Sequence, residues 1–342
     1  MDKKQTKHII YAVIIGIFVA SAILTVAVGL FGEDSTSAER VGERADSVLT
    51  DVKKNSDSEG LNKSAEEEMD PMEELNGLVG LDDVKREVIS LVNYIKVQKA
   101  REARGLKTAT VSYHLVFTGN PGTGKTTVAR ILARIYRDLG VVEKGHLVET
   151  DRSGMIGEYV GTTAPRVNHM CDSAMGGVLF IDEAYALTEN KGHDYGAEAV
   201  ATLLKRMEDD RGKFVVIVAG YTDEMKRFID TNPGLKSRFT RYLHFPDYSA
   251  DDLYKIFMLN VKKYNFTLTE GADATLRNVL NDAVAHKTRH FGNGRYVRNL
   301  FENTVTAQAD RLGGTDVKKL SNTQLSLIEQ ADVQTAAGKT KK

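Results

Sequence analysis

A single cysteine, Cys171, occurs in the 342 residues. It excludes an intramolecular disulfide framework and any zinc module built on cysteine pairs. Alone in a helical segment, it reads as a small core residue rather than a nucleophile. Histidine chemistry is equally thin. His286 and His290 have metal-pair spacing, but no H-E-x-x-H pattern accompanies them, so both read as solvated residues. Internal repeats are absent, as is the basic-aromatic interleaving of a nucleic-acid face. Net charge is also lacking, at −1, but that total conceals three unlike segments. Residues 1–32 carry +2, residues 33–74 carry fourteen acids against five bases, and the remainder carries 38 bases against 32 acids. The length suggests about two globular units at roughly 150 residues each.

No charge occurs from Ile9 to Phe31. As a helix this stretch would be about 34 Å long, enough for a hydrocarbon core of ~30 Å. It exceeds the apolar core of a secretory signal, and no A-x-A site follows, so residues 1–32 are expected to form an uncleaved transmembrane anchor with a short basic N-terminus. Residues 33–74, rich in Ser, Asp and Glu, cannot bury enough apolar surface to offset ordering entropy and read as a flexible acidic linker. Lys3, Lys4 and Lys7 ahead of the span favour a cytoplasmic N-terminus.

Order is expected from about Leu75. Val84, Val88, Leu91, Val92 and Ile95 recur at helical spacing, predicting a helix over 82–103. Strand-like runs follow at 111–118, 146–150, 178–181, 214–219 and 242–245, alternating with helical periodicity such as Val128, Ile131, Leu132 and Ile135. This alternation predicts an α/β core over 75–247, with a five-stranded parallel sheet flanked by helices. After Pro246 only helical periodicity remains, which predicts a small all-helical domain over 248–330 and a disordered tail over 331–342.

The first strand runs directly into Gly119-Asn120-Pro121-Gly122-Thr123-Gly124-Lys125-Thr126, followed by Thr127. This is a complete G-x-x-x-x-G-K-[ST] loop between a strand and a helix. Its glycines let backbone N–H groups wrap around phosphate, Lys125 reaches the β- and γ-phosphates, and Thr126 offers a hydroxyl to Mg²⁺. Asp182 leaves the end of a second buried strand, where a carboxylate orients the Mg²⁺ shell. Glu183 beside it is placed to polarise an attacking water, which favours ATP hydrolysis over transfer to a bound acceptor.

Read together, the phrases LNGLVGLDDVK, FTGNPGTGKTTVAR, IGEYVGTTAPRV, GGVLFIDEAYAL, VIVAGYTDEM, NPGLKSRF and FGNGRYVRNL resemble the AAA+ ATPases. Within that family they resemble the CfxQ-like branch that holds the red-type Rubisco activase CbbX and stage V sporulation protein K. The resemblance covers about residues 75–311 and implies a P-loop AAA+ core whose helical lid closes over ATP, usually in a hexameric ring. It implies that Leu78, Val79 and Gly80 line the adenine pocket and that Thr222 is a sensor, a role Tyr221 could share. Arg238 would be the arginine finger, with Arg241 as second candidate, and Arg295 the lid sensor, with Arg298 as its substitute. Tyr159 and Val160 would form a pore loop gripping a threaded polypeptide, with Gly157 and Gly161 giving it freedom to move.

The expected function is that of a membrane-tethered ring ATPase remodelling a protein substrate. The competing reading is a nucleotide-regulated assembly scaffold, for example of a secretion or sporulation system; a DNA-associated loader has less in its favour. Lys125 and Glu183 require ATP, so the ATPase domain is expected on the cytoplasmic side of the cell membrane, against the vote of the N-terminal lysines.

Overall fold

The computed structural model describes residues 69–108, 112–189 and 195–340. The expected membrane span at 9–31 and most of the acidic linker lie outside them. Among the described residues no helix is long and apolar enough to cross a membrane.

The first described element, helix α1 (Pro71–Gly77), starts ahead of the boundary expected near Leu75. Asp70 caps it by accepting the Met72 amide, Pro71 supplies a preset first turn, and Pro71 and Leu75 are buried. Helix α2 (Asp82–Ala103) buries Val84, Val88, Leu91, Val92 and Ile95, as their spacing predicts. Next come strand β1 (Leu115–Gly119), helix α3 (Lys125–Asp138), strand β2 (Leu147–Thr150) and helices α4 (Arg152–Met155) and α5 (Thr163–Ser173). Strand β3 (Val178–Ile181), helix α6 (Tyr195–Asp209), strand β4 (Val215–Gly220), helices α7 (Thr222–Asp230) and α8 (Pro233–Arg238) and strand β5 (Arg241–Phe245) complete the α/β part.

The five strands form one parallel sheet in the order β2-β3-β4-β1-β5. β1, β3 and β4 are buried throughout, because helices cover both faces. Leu115, Phe117, Phe180 and Ile217 face one core with α2 and α3, while Val116, Leu179, Ile181 and Val218 face the other with α5, α6 and α7. Alternation by two thus assigns neighbouring residues of each strand to opposite cores. β1 is shorter than the apolar run suggested. Nδ1 of His114 accepts the Val216 amide at 2.9 Å, so a side chain stands where ladder pairing would otherwise continue.

The C-terminal part holds helices α9 (Ala250–Lys263), α10 (Glu270–Ala285) and α11 (Gly294–Gly313), and it departs from expectation twice. It is not wholly helical: strand β6 (Thr267–Leu268) pairs in parallel with strand β7 (Leu327–Ile328), reached through helix α12 (Asn322–Ser326). Two-residue strands are too short to carry a period-two signal. Nor are residues 331–340 of the expected tail disordered, since helix α13 (Gln330–Thr340) packs along α11. Val333, Ala336 and Ala337 bury one face, and the buried carboxylate of Asp332 is held by Arg311 through bonds of 2.9 and 2.8 Å.

Candidate functional site

In a parallel sheet the carboxyl ends of the strands and the helix N-termini that follow them share one edge. There β1 delivers the Gly119–Thr126 loop, β3 delivers Asp182 and Glu183, and β4 delivers Tyr221. Gly124, with φ +95°, precedes α3, and no side chain caps that helix, so its first amides remain open for an anion. Lys125 Nζ donates to the carbonyls of Gly119 (2.9 Å) and Asn120 (2.8 Å). Burial pulls its ammonium below the ordinary lysine range; Asp182 and Glu183 oppose this and Arg295 adds to it.

An open cleft of about 800 Å³ is lined by Gly119, Pro121, Gly122, Gly124, Lys125, Thr126 and Thr127 together with Asp182, Glu183, Gly220, Tyr221, Gly294, Arg295 and Arg298. The Asp182 amide bonds the Thr150 carbonyl at 2.9 Å, tying the carboxylate's backbone to β2. Glu183 adopts φ +48°, ψ +43°, a left-handed conformation uncommon for a residue with a side chain, and its amide donates to Asp182 Oδ1 at 3.1 Å. Such strain is typical of residues whose orientation matters more than their comfort.

Other expected residues fall elsewhere. Thr123 belongs to the loop but not to the lining: it is fully buried and its hydroxyl donates to the Asn120 carbonyl at 2.8 Å. Thr222 is exposed on the first turn of α7 and does not line the cleft; Tyr221 does. The Tyr221 phenol, raised by burial and by Glu183, lies 5.9 Å from the Tyr185 ring and 4.6 Å from that of His290. Leu78, Val79 and Gly80 also lie outside the lining. Gly80 abuts the Asp252 carboxylate of α9, and the Leu78 carbonyl accepts from Lys85 at 2.6 Å. Arg298 lines the cleft while pairing with Glu302 at 2.8 Å.

Arg238 stands away from the cleft at the end of α8, paired with Glu208 at 2.9 Å. Arg241 lies 5.2 Å from the centre of the Tyr94 ring, also away from it. Tyr159 and Val160 are 71% and 84% exposed on a turn whose Thr162 hydroxyl donates to the Tyr159 carbonyl at 2.7 Å. Gly161 has φ +80°, but Gly157 serves another purpose than loop freedom: a Cβ there would sit 1.9 Å from Thr162 Oγ1. Cys171 is buried, its thiol pushed up to about 11 by that burial. No cluster of His, Cys, Asp and Glu suited to a metal occurs among the described residues.

The sequence is similar to those of known proteins. Residues 115–247 match the ATPase family associated with various cellular activities (AAA), and residues 249–342 match the AAA lid domain. Stage V sporulation protein K of Bacillus subtilis is 38% identical over 287 residues, 82% of this chain and 87% of that protein. The chain belongs to the AAA+ ATPases. It is an ATP hydrolase. The chloroplastic ribulose bisphosphate carboxylase/oxygenase activase of Cyanidioschyzon merolae is 40% identical across 75% of this chain and 87% of that protein. In fold alone, the FIGL-1 AAA domain is similar with a TM-score of 0.55 at 16% identity, covering 77% of this chain and 82% of that one.

This AAA+ ATPase also holds a polar cluster that sequence reasoning missed. Asp247, just beyond β5, accepts from Asn120 and from Asn293 on Oδ1 and from Lys287 on Oδ2, each at 2.8 Å. Burial alone would raise its carboxyl, but the bonds from Lys287, Asn293 and Asn120 outweigh that and hold it below the ordinary range. Tyr248 donates its hydroxyl to the Thr123 carbonyl at 3.2 Å. The available signal was a carboxylate two residues past a strand end, at the side of the sheet where the phosphate loop sits.

Proposed function

We propose that this AAA+ ATPase assembles as a ring-shaped homo-oligomer, a hexamer, and uses ATP hydrolysis to thread or remodel a protein substrate. The observation that carries the reading is the tip of the Gly157–Gly161 loop, where Tyr159 and Val160 stand in solvent on a turn that no core contact requires. An exposed aromatic next to an exposed Val grips a passing chain by packing, without sequence-specific bonds.

The cleft suits Mg·ATP. The hydroxyl of Thr126 and the carboxylate of Asp182 line it together, a hard-oxygen donor set that fits Mg²⁺. Once bound, that ion supplies neutralisation of phosphate charge. Lys125 exchanges its two loop carbonyls for β- and γ-phosphate oxygens, and the open amides of α3 point to the same place. Glu183 polarises the attacking water. Tyr221, not Thr222, takes the sensor position, and Arg295 reads the γ-phosphate from the lid. Arg238, remote from its own cleft, serves as finger for the neighbouring subunit's ATP. Residues 9–31 tether the ring to the cell membrane with the ATPase domain in the cytoplasm.

The test compares Tyr159→Ala with Glu183→Gln. The first keeps ATP turnover and loses remodelling, whereas the second binds ATP and stalls, so that the captured substrate can be identified. Remodelling undiminished in Tyr159→Ala sinks the threading mechanism, and protease protection that places the body outside the cell sinks the stated orientation.

A further inference from the structure

Asn293 is fully buried, yet its backbone sits at φ +47°, ψ −119°, a conformation natural to glycine. A side chain held there against its backbone preference must be doing something glycine cannot. Its Nδ2 donates to Asp247 Oδ1 (2.8 Å) and to the Phe291 carbonyl (2.9 Å), with the Pro121 carbonyl at 3.4 Å; its Oδ1 accepts the Tyr248 amide at 2.9 Å. One amide therefore touches the phosphate loop, the connection after β5 and the lid. The same Asp247 oxygen also accepts from Asn120 of the phosphate loop.

The next residues carry this link into the cleft. The Gly294 amide donates to the Gly122 carbonyl at 3.0 Å, and the following residue is Arg295, which lines the cleft. The approach is close enough that a Cβ on Gly122 would fall 2.3 Å from the Gly292 carbonyl and 2.7 Å from the Arg295 amide. The N-terminus of α11, which presents Arg295, is thus registered directly on the loop that would hold the phosphates.

We propose that Asn293 and Asp247 are positioning residues that fix the distance between Arg295 and the phosphate loop, and so set how strongly the site distinguishes ATP from ADP. The inference rests on the reading of Arg295 as the γ-phosphate contact. Neither positioning residue lines the cleft; both act through Arg295. Because the backbone at 293 already suits glycine, Asn293→Gly deletes the amide without adding strain.

The experiment measures Mg·ATP and ADP affinity for the full chain in a Glu183→Gln background, where ATP is not consumed. Asn293→Gly should weaken ATP about 10-fold and ADP less than about 3-fold, with Arg295→Ala giving the same split. The double variant should be no worse than Arg295→Ala alone, since both changes remove one interaction. Asp247→Asn, which keeps an acceptor for Asn120 and Asn293, should lie between wild type and Asp247→Ala. A parallel fall in ATP and ADP affinity, or additive effects in the double variant, overturns the positioning role. So does an unchanged Asn293→Gly beside an Arg295→Ala that still separates the nucleotides. If Arg295→Ala does not separate them, the reading of Arg295 itself fails and the proposal falls with it.

Discussion

Glu183 and Tyr221 show how much single residues depend on the strand ends that carry them. Both follow buried strands, β3 and β4, whose register is fixed by parallel pairing, so their backbones reach the cleft edge together. One residue further, the chain turns into α7, and Thr222 points to solvent. Tyr221→Phe should therefore reduce kcat several-fold, about 1 kcal/mol for a lost hydroxyl contact, while Thr222→Ala should leave steady-state ATPase kinetics unchanged. Equal losses in the two variants would contradict the placement of Tyr221. Glu183→Gln should cost about 10²–10⁴ in hydrolysis rate with ATP binding retained, the usual worth of a general base. The phosphate loop, Asp182 and Glu183 were legible because each motif is contiguous and its context, strand before and helix or turn after, is readable nearby. Asn293 and Asp247 were not: 46 residues separate two groups that meet only after the lid has folded back.

Among the elements, α13 is the clearest departure from local reading. Its composition of Ala, Thr, Gln and Lys carries little apolar signal, and its stability comes from what α11 offers it. Arg311 extends from α11 to Asp332 and, at 2.9 Å, to Glu329, and its Nη2 also bonds the Leu327 carbonyl at 3.2 Å. Asp332→Ala should lower unfolding stability by roughly 1.5–3 kcal/mol in denaturant titration, because Arg311 loses its charge-assisted bonds to a buried carboxylate while keeping Glu329. Lys339→Ala, which removes only a 3.8 Å pair exposed to solvent, should change it by less than about 0.5 kcal/mol. If both were neutral, the helix would not be docked as described. The β6–β7 pair was illegible for a related reason: its partners are two residues each, at opposite ends of the lid.

For the whole molecule, pH couples to the central sheet through His114. Burial, reinforced by Arg238 and Arg211, lowers the imidazole to about 4. In the unfolded chain the ring protonates near its ordinary value of about 6.5, so on acidification the unfolded state takes up the proton first. The stability this neutral ring confers is present in full above about 6.5 and falls away as pH drops toward about 4, by at most about 3 kcal/mol. Denaturant midpoints measured across that interval should slope downward in acid for the wild type. They should flatten in His114→Gln, which keeps an acceptor for the Val216 amide but cannot titrate. An equal slope in both would remove His114 from the account.

The sequence by itself determined the nucleotide chemistry, the parallel sheet and the family. Those features are written in short, contiguous patterns: apolar strands, an anion-binding loop after β1, paired carboxylates after β3. Only the tertiary structure decided which of Tyr221 and Thr222 reaches the cleft, that residues 330–340 dock as a helix, and that Asn293 ties lid to phosphate loop through Asp247. The physical reason is the same in each case. A hydrogen bond or a buried face between distant segments has no period and no local propensity, and exists only once folding brings the two sides together.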